Sequence, residues 1–191
     1  MDTMSDVDLT VLRTVTRNLT MSAASIEVNQ RGLSTPCNNW DLAALVDHIA
    51  GGNWFTAAVL AGARAENAMS ATMERFGTGS ASNETAIESL EVQATAFLRP
   101  RVLERTWNHV AGELSGRAIL RLRLHDLIVH SWDVEETLRP GYALPDDLVR
   151  WGLDELAHDD SLSAQHFDLD ITSVGRSASE RSARYLDLFG R

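Results

Sequence analysis

Residues 123–133, RLHDLIVHSWD, set an imidazole between two carboxylates at helical spacing: Asp126, His130 and Asp133 stand four and three residues apart. On an α-helix, residues so separated lie one turn above one another on a shared face. Side chains four apart can grip one metal ion from a single helix, as the two histidines of HExxH do. The same spacing also serves a plain His–Asp helix pair, worth only about 0.2–0.5 kcal/mol. A metal needs a further ligand, and helical bundles gather theirs from facing helices. His48, in ALVDHIAGGNWF, is the best donor. It falls three after Leu45 and seven before Phe55, shares their face and so points inward. Gly51 and Gly52 follow at once. Glycine costs about 1 kcal/mol inside a helix, so the pair signals close approach of another backbone or a ligand.

These residues need helices to carry them, and the pattern supplies them. Ser5 followed by Asp8 reads as a capping box, opening a first helix striped by Val11, Leu12, Val15 and Leu19. RGLSTPCNN (31–39) reads as a loop. Asp41 can cap a second helix through Leu42, Leu45, Val46 and Ile49 toward Ala61. GTGSASN (77–83) is another loop, from which Asn83 caps a third helix striped by Ile87, Leu90, Ala94 and Phe97 and stopped by Pro100. AGELSG (111–116) is a break, and the fourth helix runs from about Arg117 to Leu138. Pro145, Asp146 and Asp147 start a shorter fifth helix. HFDLDITSV (166–174) alternates like a short strand, and a last helix covers roughly 179–189. Four long amphipathic helices predict an all-α antiparallel four-helix bundle over 1–140. Residues 141–191 form a C-terminal extension of extra helices and one short strand packed on it, a single domain overall.

Composition excludes several functions. The 191 residues carry 27 acids and 17 bases, a formal charge of −10. Such a surface repels phosphate backbones and anionic lipid, so neither nucleic acid nor membrane is an expected partner. All 17 bases are Arg, which rules out a Schiff-base lysine and a P-loop lysine. The acidic start, MDTMSDVDLT, is unlike a signal peptide, and no apolar run approaches the roughly 18 residues of a membrane span. Cys37 stands alone, so no internal disulfide can form. The expected location is cytoplasmic, and the expected assembly, if any, an isologous homodimer.

Other candidates carry two readings each. Asp133 either orients the His130 imidazole from behind or makes an ordinary helix hydrogen bond. Arg121 and Arg123 either meet a substrate carboxylate through a bidentate pair or sit on a solvated face. Cys37, just before a helix start where a thiolate is favoured, is more commonly a small buried hydrophobe. His125 points to a different face from Asp126, as surface or packing. His109, His158 and His166 lack partners at ligand spacing. The five tryptophans read as core anchors, with Trp54 and Phe55 as candidate pocket walls.

STPCNNWDLAALVDHIAGGNWF, followed some 75 residues later by RLHDLIVHSWDVE, resembles the DinB-like superfamily of helical metalloproteins. It is most similar to the branch that holds the mycothiol-dependent maleylpyruvate isomerases, in its stand-alone metal-binding members. The likeness runs from the first helix through GYALPDDL to YLDLFGR. It implies a four-helix bundle holding one divalent ion with His48, Asp126 and His130. Those isomerases carry Glu where this chain has Asp126, one methylene shorter. They also carry a further C-terminal domain, for which the residues after Pro140 are too few.

An N, N, O ligand set leaves an open position, the pattern of a catalytic zinc site; it also suits non-haem iron. Zinc is the first choice. The open position can take water or hold a thiol as thiolate. The resemblance implies the thiol: mycothiol as cosubstrate, attacking a small electrophile in an isomerase or S-transferase reaction. Catalytic residues are otherwise unassigned, with Asp133 and Arg123 as supporting candidates. The alternative is a non-catalytic small-molecule-binding or dimerising bundle whose metal site is degenerate or structural.

Overall fold

In the computed structural model, residues 3–37, 40–76, 78–158 and 177–191 are described. They form seven α-helices: α1 Thr3–Ser25, α2 Leu42–Leu60, α3 Ala65–Phe76, α4 Asn83–Phe97, α5 Gly116–Leu138, α6 Asp146–His158 and α7 Ala178–Asp187, with a hairpin of β1 Thr106–His109 and β2 Gly112–Ser115. The chain divides into two compact units, Met1–Leu138 and Arg139–Arg191.

The first unit is the expected DinB-like bundle, built from α1, α2, α4 and α5. Leu19, Ile49, Leu90 and Val134, one from each helix, close around a common point of the core. Direction follows from the cross-helix contacts. Arg121 meets Asp8 and Ser22 meets Glu135, so α5 runs alongside α1. His48 meets Asp126 while Asn53 meets Arg123, so α5 runs against α2. Asn83, opening α4, donates to the Ile26 carbonyl just past α1 at 2.7 Å. Two helices thus point each way, and residues 26–41 must cross the end of the bundle to join α1 to α2.

Local chemistry sets the boundaries. Asp41 accepts from the Ala44 amide at 2.8 Å, capping α2 as expected. The α4 cap is Ser82, whose hydroxyl accepts from the Thr85 amide at 3.2 Å. Asn83 is the first helical residue instead, its side chain spent on Ile26 and Arg31. α1 begins at Thr3, upstream of the expected Ser5 cap. The strand expected over 166–174 lies outside the described residues.

Two elements escaped the sequence reading. α3 follows α2 closely, and its Thr72 Cγ2 would stand 3.1 Å from a Cβ at Gly51, with Phe76 next to it. The supposed break at 111–116 is the second strand of the hairpin, in register Thr106 with Ser115 and His109 with Gly112. Gly112 takes φ 110°, which ordinary residues avoid. Trp107 anchors β1, its indole N–H donating to the Val102 carbonyl at 2.9 Å. No helix among the described residues is long and apolar enough to cross a membrane.

In the second unit, α6 packs on α7 through Gly152, which leaves room for the buried Tyr185 ring. Ser177 and Glu180 form a capping box that starts α7. Asp146 pairs with Arg150 at 2.7 Å and Arg181 at 2.5 Å.

The α5 start is fixed by close approach. A Cβ on Gly116 would collide with the Val102 carbonyl, and backbone cannot swing aside. Gly116→Ala is expected to cost about 1–3 kcal/mol, despite alanine's better helix propensity. Urea denaturation of the variant checks it; an unchanged midpoint would show that this junction tolerates movement.

Candidate metal centre

The helix face read from RLHDLIVHSWD exists, and His48 comes to meet it from α2. His48 Nε2 lies 3.3 Å and His130 Nε2 3.4 Å from the same Asp126 oxygen, Oδ1. The three ligand atoms all fall within 4.8 Å of one another. Both contacts are long for a charge-assisted hydrogen bond, which prefers about 2.7–2.9 Å. They match instead the edge of a tetrahedron whose centre is about 2.0–2.1 Å from each corner, the bond length of zinc to nitrogen or oxygen. The residues present therefore fit a divalent ion. Asp126 is 32% exposed, so the point they share opens to solvent.

Behind these atoms stand two charged partners. Asp133, fully buried, lies 2.8 Å from His130 Nδ1. That contact holds the ring and leaves Nε2 facing Asp126, the arrangement by which metal-bound histidines are usually oriented. Arg123 stands behind Asp126. Its Nη1 contacts Asp126 Oδ2. Its Nε donates to Gln93 Oε1 at 2.9 Å, and Nη2 to Asn53 Oδ1 and the Ile49 carbonyl, each at 2.9 Å. The guanidinium is 8% exposed and occupied on all sides. Burial excludes the solvated face, and the side chain stands behind Asp126 as a supporting candidate would. Arg121 instead pairs with Asp8 on α1 at 3.0 Å.

Gly52 is explained by Arg123. A Cβ there would run into the guanidinium. The Gly51-Gly52 pair thus admits α3 on one side and Arg123 on the other, neither of which is a ligand.

Charge follows the packing. Burial alone would push the Asp126 carboxyl up, but the Arg123 cation and hydrogen bonds from His130 and His48 hold it well below the usual carboxylate range. Burial would lower His130, yet bonds from Asp126 and Asp133 outweigh it and raise the imidazole above its ordinary value. Burial lowers Arg123, opposed by Asp126.

The crossing segment adds a residue that sequence reasoning took for core. Trp40 lies over both imidazoles, ring centroids 4.7 Å from His48 and 5.9 Å from His130. Its backbone is locked: Thr35 Oγ1 donates to the Trp40 carbonyl at 3.0 Å, and the Trp40 amide to the Cys37 carbonyl at 3.1 Å. A Trp three residues after Cys in a Thr-Pro-Cys loop was visible in the sequence, but nothing there aims it at His48. Cys37 also comes near, its sulfur within 4.8 Å of ligand atoms of His130 and Asp133. His125 is buried packing. His109 meets Phe55 edge-on at 5.4 Å between ring centroids, and burial lowers its imidazole below the ordinary value. His158 caps its own helix, and His166 lies outside the described residues.

His48, alone of the three candidate ligands, lines a cleft of about 370 Å³ between α2 and α3. Phe55 lines it, where packing was the default expectation; Trp54 does not, and carries Arg75 over its ring at 4.6 Å.

Two outcomes follow for stability. Gly52→Ala is expected to lose about 1–3 kcal/mol by displacing Arg123, read as a lower urea midpoint. Because the folded-state value of Asp126 is depressed, its contribution is present above the unfolded carboxylate value and lost as pH falls through the folded one. In Arg123→Gln that acid-side loss should begin at higher pH, measured as the urea midpoint across a pH series; an unmoved acid limb would deny the Arg123–Asp126 coupling.

Comparison with known proteins places these features. The family model for the mycothiol maleylpyruvate isomerase N-terminal domain matches residues 12–135. Uncharacterised proteins from two strains of Mycobacterium tuberculosis are each 27% identical over 116 residues, covering 58% of this chain and 56% of theirs. The matched stretch thus spans little more than half of those relatives. The crystal structure of a mycothiol-dependent maleylpyruvate isomerase superposes with TM-score 0.61 at 14% identity, over 78% of this chain and 67% of the other. A histidine-to-alanine mutant of that isomerase gives TM-score 0.60 over the same shares.

Proposed function

The chain belongs to the mycothiol maleylpyruvate isomerase N-terminal domain family, and on that premise we propose that it binds one divalent cation, zinc first, through His48, Asp126 and His130. Held there, the cation would activate a low-molecular-weight thiol of the mycothiol type, for isomerisation of a small electrophile or transfer of sulfur to it. The observation that carries this reading is the convergence of two imidazole Nε2 atoms on one Asp126 oxygen at 3.3 and 3.4 Å, beside a cleft that His48 lines.

A divalent ion held there supplies a Lewis acid that keeps a thiol as thiolate near neutral pH. The rest is the work of the chain. Asp133 accepts from His130 Nδ1 and keeps the ring in the tautomer whose Nε2 is free to ligate. Arg123 neutralises and orients the short Asp126 arm, which has one methylene fewer than the Glu of the related isomerases. Trp40 covers the two imidazoles on one side and limits access of water there. The α2–α3 cleft receives the electrophile on another.

A second reading is a binding module with a degenerate site, and the Arg123–Asp126 contact favours it. The guanidinium already satisfies one carboxylate oxygen and competes with a cation for its charge. Metal content separates the two readings. Protein purified without an affinity tag is expected to hold about one equivalent of zinc, lost in His48→Ala with the bundle still folded by circular dichroism. Full metal content in His48→Ala would sink the ligand assignment; no metal in either protein would favour the binding module.

Two further measurements test the supporting residues. Asp133→Asn is expected to weaken zinc affinity about 10–100-fold in a chelator competition. The cation requires neutral imidazoles, and His130 is raised. Affinity should therefore fall as pH drops through that raised value, by about tenfold per unit below it for one proton displaced. Competition titrations across a pH series read this directly.

A further inference from the structure

We propose that the α2–α3 cleft selects an uncharged, apolar electrophile and discriminates against a dianionic one. The inference rests on the site reading above and names the substrate class for it.

The cleft is walled by Trp40, Phe55, Met69, Met73 and Phe76, with Ala44 and the Gly51-Gly52 backbone completing it beside His48. About 370 Å³ lies within the range of small-molecule sites, roughly 300–1,000 Å³. Two thioethers and three aromatic rings make a lining that adapts to flat apolar groups. Among the described lining residues there is no Arg.

The carboxylates beside the cleft disfavour an anion. Asp47 is the ionisable carboxylate of the lining, anchored by the Gly79 and Ala81 amides at 2.5 and 2.6 Å. Asp126 stands beside His48 at the same end. Arg123, the cation expected to greet a substrate carboxylate, is buried and committed to Asn53, Gln93, Ile49 and Asp126. Arg75 flanks the cleft, its guanidinium over the Trp54 and Phe76 rings at 4.6 and 5.1 Å. A dicarboxylate entering the cleft would lose its water and gain no bidentate partner in exchange. A neutral ester or enone loses little water and gains apolar contact.

The chemistry served is conjugate addition. The thiolate sulfur bonds to the β-carbon of an activated alkene, and the π pair moves to the carbonyl oxygen as an enolate. Protonation at the α-carbon gives net addition of S–H across the double bond. Rotation in the enolate followed by loss of the thiolate instead returns the isomerised alkene and the free thiol. No oxidant or reductant enters either course.

The test uses an unreactive matched pair: dimethyl phthalate, neutral, and phthalate, its dianion, both flat and both cis-disubstituted like a maleate. Binding to the full chain loaded with zinc is measured by equilibrium dialysis, without thiol, so the result does not depend on turnover. The diester is expected to bind at least about tenfold more tightly than the dianion. Met69→Arg, which places a cation in the wall, should narrow that ratio or invert it. Phthalate binding as tightly as the diester, no binding of either, or a ratio unmoved by Met69→Arg would each overturn the charge preference. A separate assay of thiol addition to diethyl maleate addresses catalysis. Its failure alongside the expected binding ratio would retire the enzyme reading and leave the cleft's preference standing.

Discussion

A guanidinium does not give up its proton under conditions in which proteins fold, so burying Arg123 obliges the bundle to surround it with acceptors. Asn53, Gln93 and the Ile49 carbonyl supply three, and Asp126 supplies the negative charge. The requirement is strong enough to leave a cost elsewhere. Gln93 turns its oxygen to the cation, and its amide nitrogen then has no hydrogen-bond partner among the described residues. An unsatisfied buried donor costs about 1–3 kcal/mol. Gly52 is glycine for the same reason, since any side chain would occupy the guanidinium's place. The ionised Asp126 that results is what draws His48 and His130 together. Much of the polar interior of the bundle thus follows from one cation at one helical position.

The α5 half of the site was legible in the sequence because helical geometry alone decides it: residues at i, i+4 and i+7 share a face whatever surrounds them. His48 was legible as inward-facing from its offsets to Leu45 and Phe55. Arg123 was legible only as a supporting candidate, because spacing tells which face a side chain leaves from and says nothing about which acceptors await it. Its partners Asn53 and Gln93 come from other helices, 70 and 30 residues away. α3 was missed because only Ala65, Ala68 and Phe76 of its residues are buried, too sparse a stripe to stand out as an amphipathic helix. The hairpin was missed because Gly112 and Gly116, read as a break, serve a turn and a helix start. The Asn83 cap was misplaced by one residue, since Ser82 and Asn83 are both competent and tertiary contacts to Ile26 and Arg31 decided between them.

The connectivity of the bundle accounts for Trp40. With α1 and α5 pointing one way and α2 and α4 the other, the chain leaving α1 must traverse the end of the bundle before α2 can start. That traverse ends on the side where α2 and α5 meet, and Trp40 is its last residue before the Asp41 cap. The Thr35 hydroxyl and the Cys37 carbonyl hold its backbone, so the indole is placed by those contacts and not by burial in a core. The cover over the imidazoles is therefore a product of topology and turn chemistry together.

The contact between His48 and Asp126 spans 78 positions of sequence. Unlike a disulfide it is absent from the unfolded chain, so folding must close that long loop to make it, at an entropic cost that grows slowly with loop length. A protein with one cysteine has no internal disulfide with which to hold the loop closed. The polar seam between α2 and α5 joins those distant positions reversibly, as a clasp whose strength follows pH, where a sulfur–sulfur bond would follow redox state.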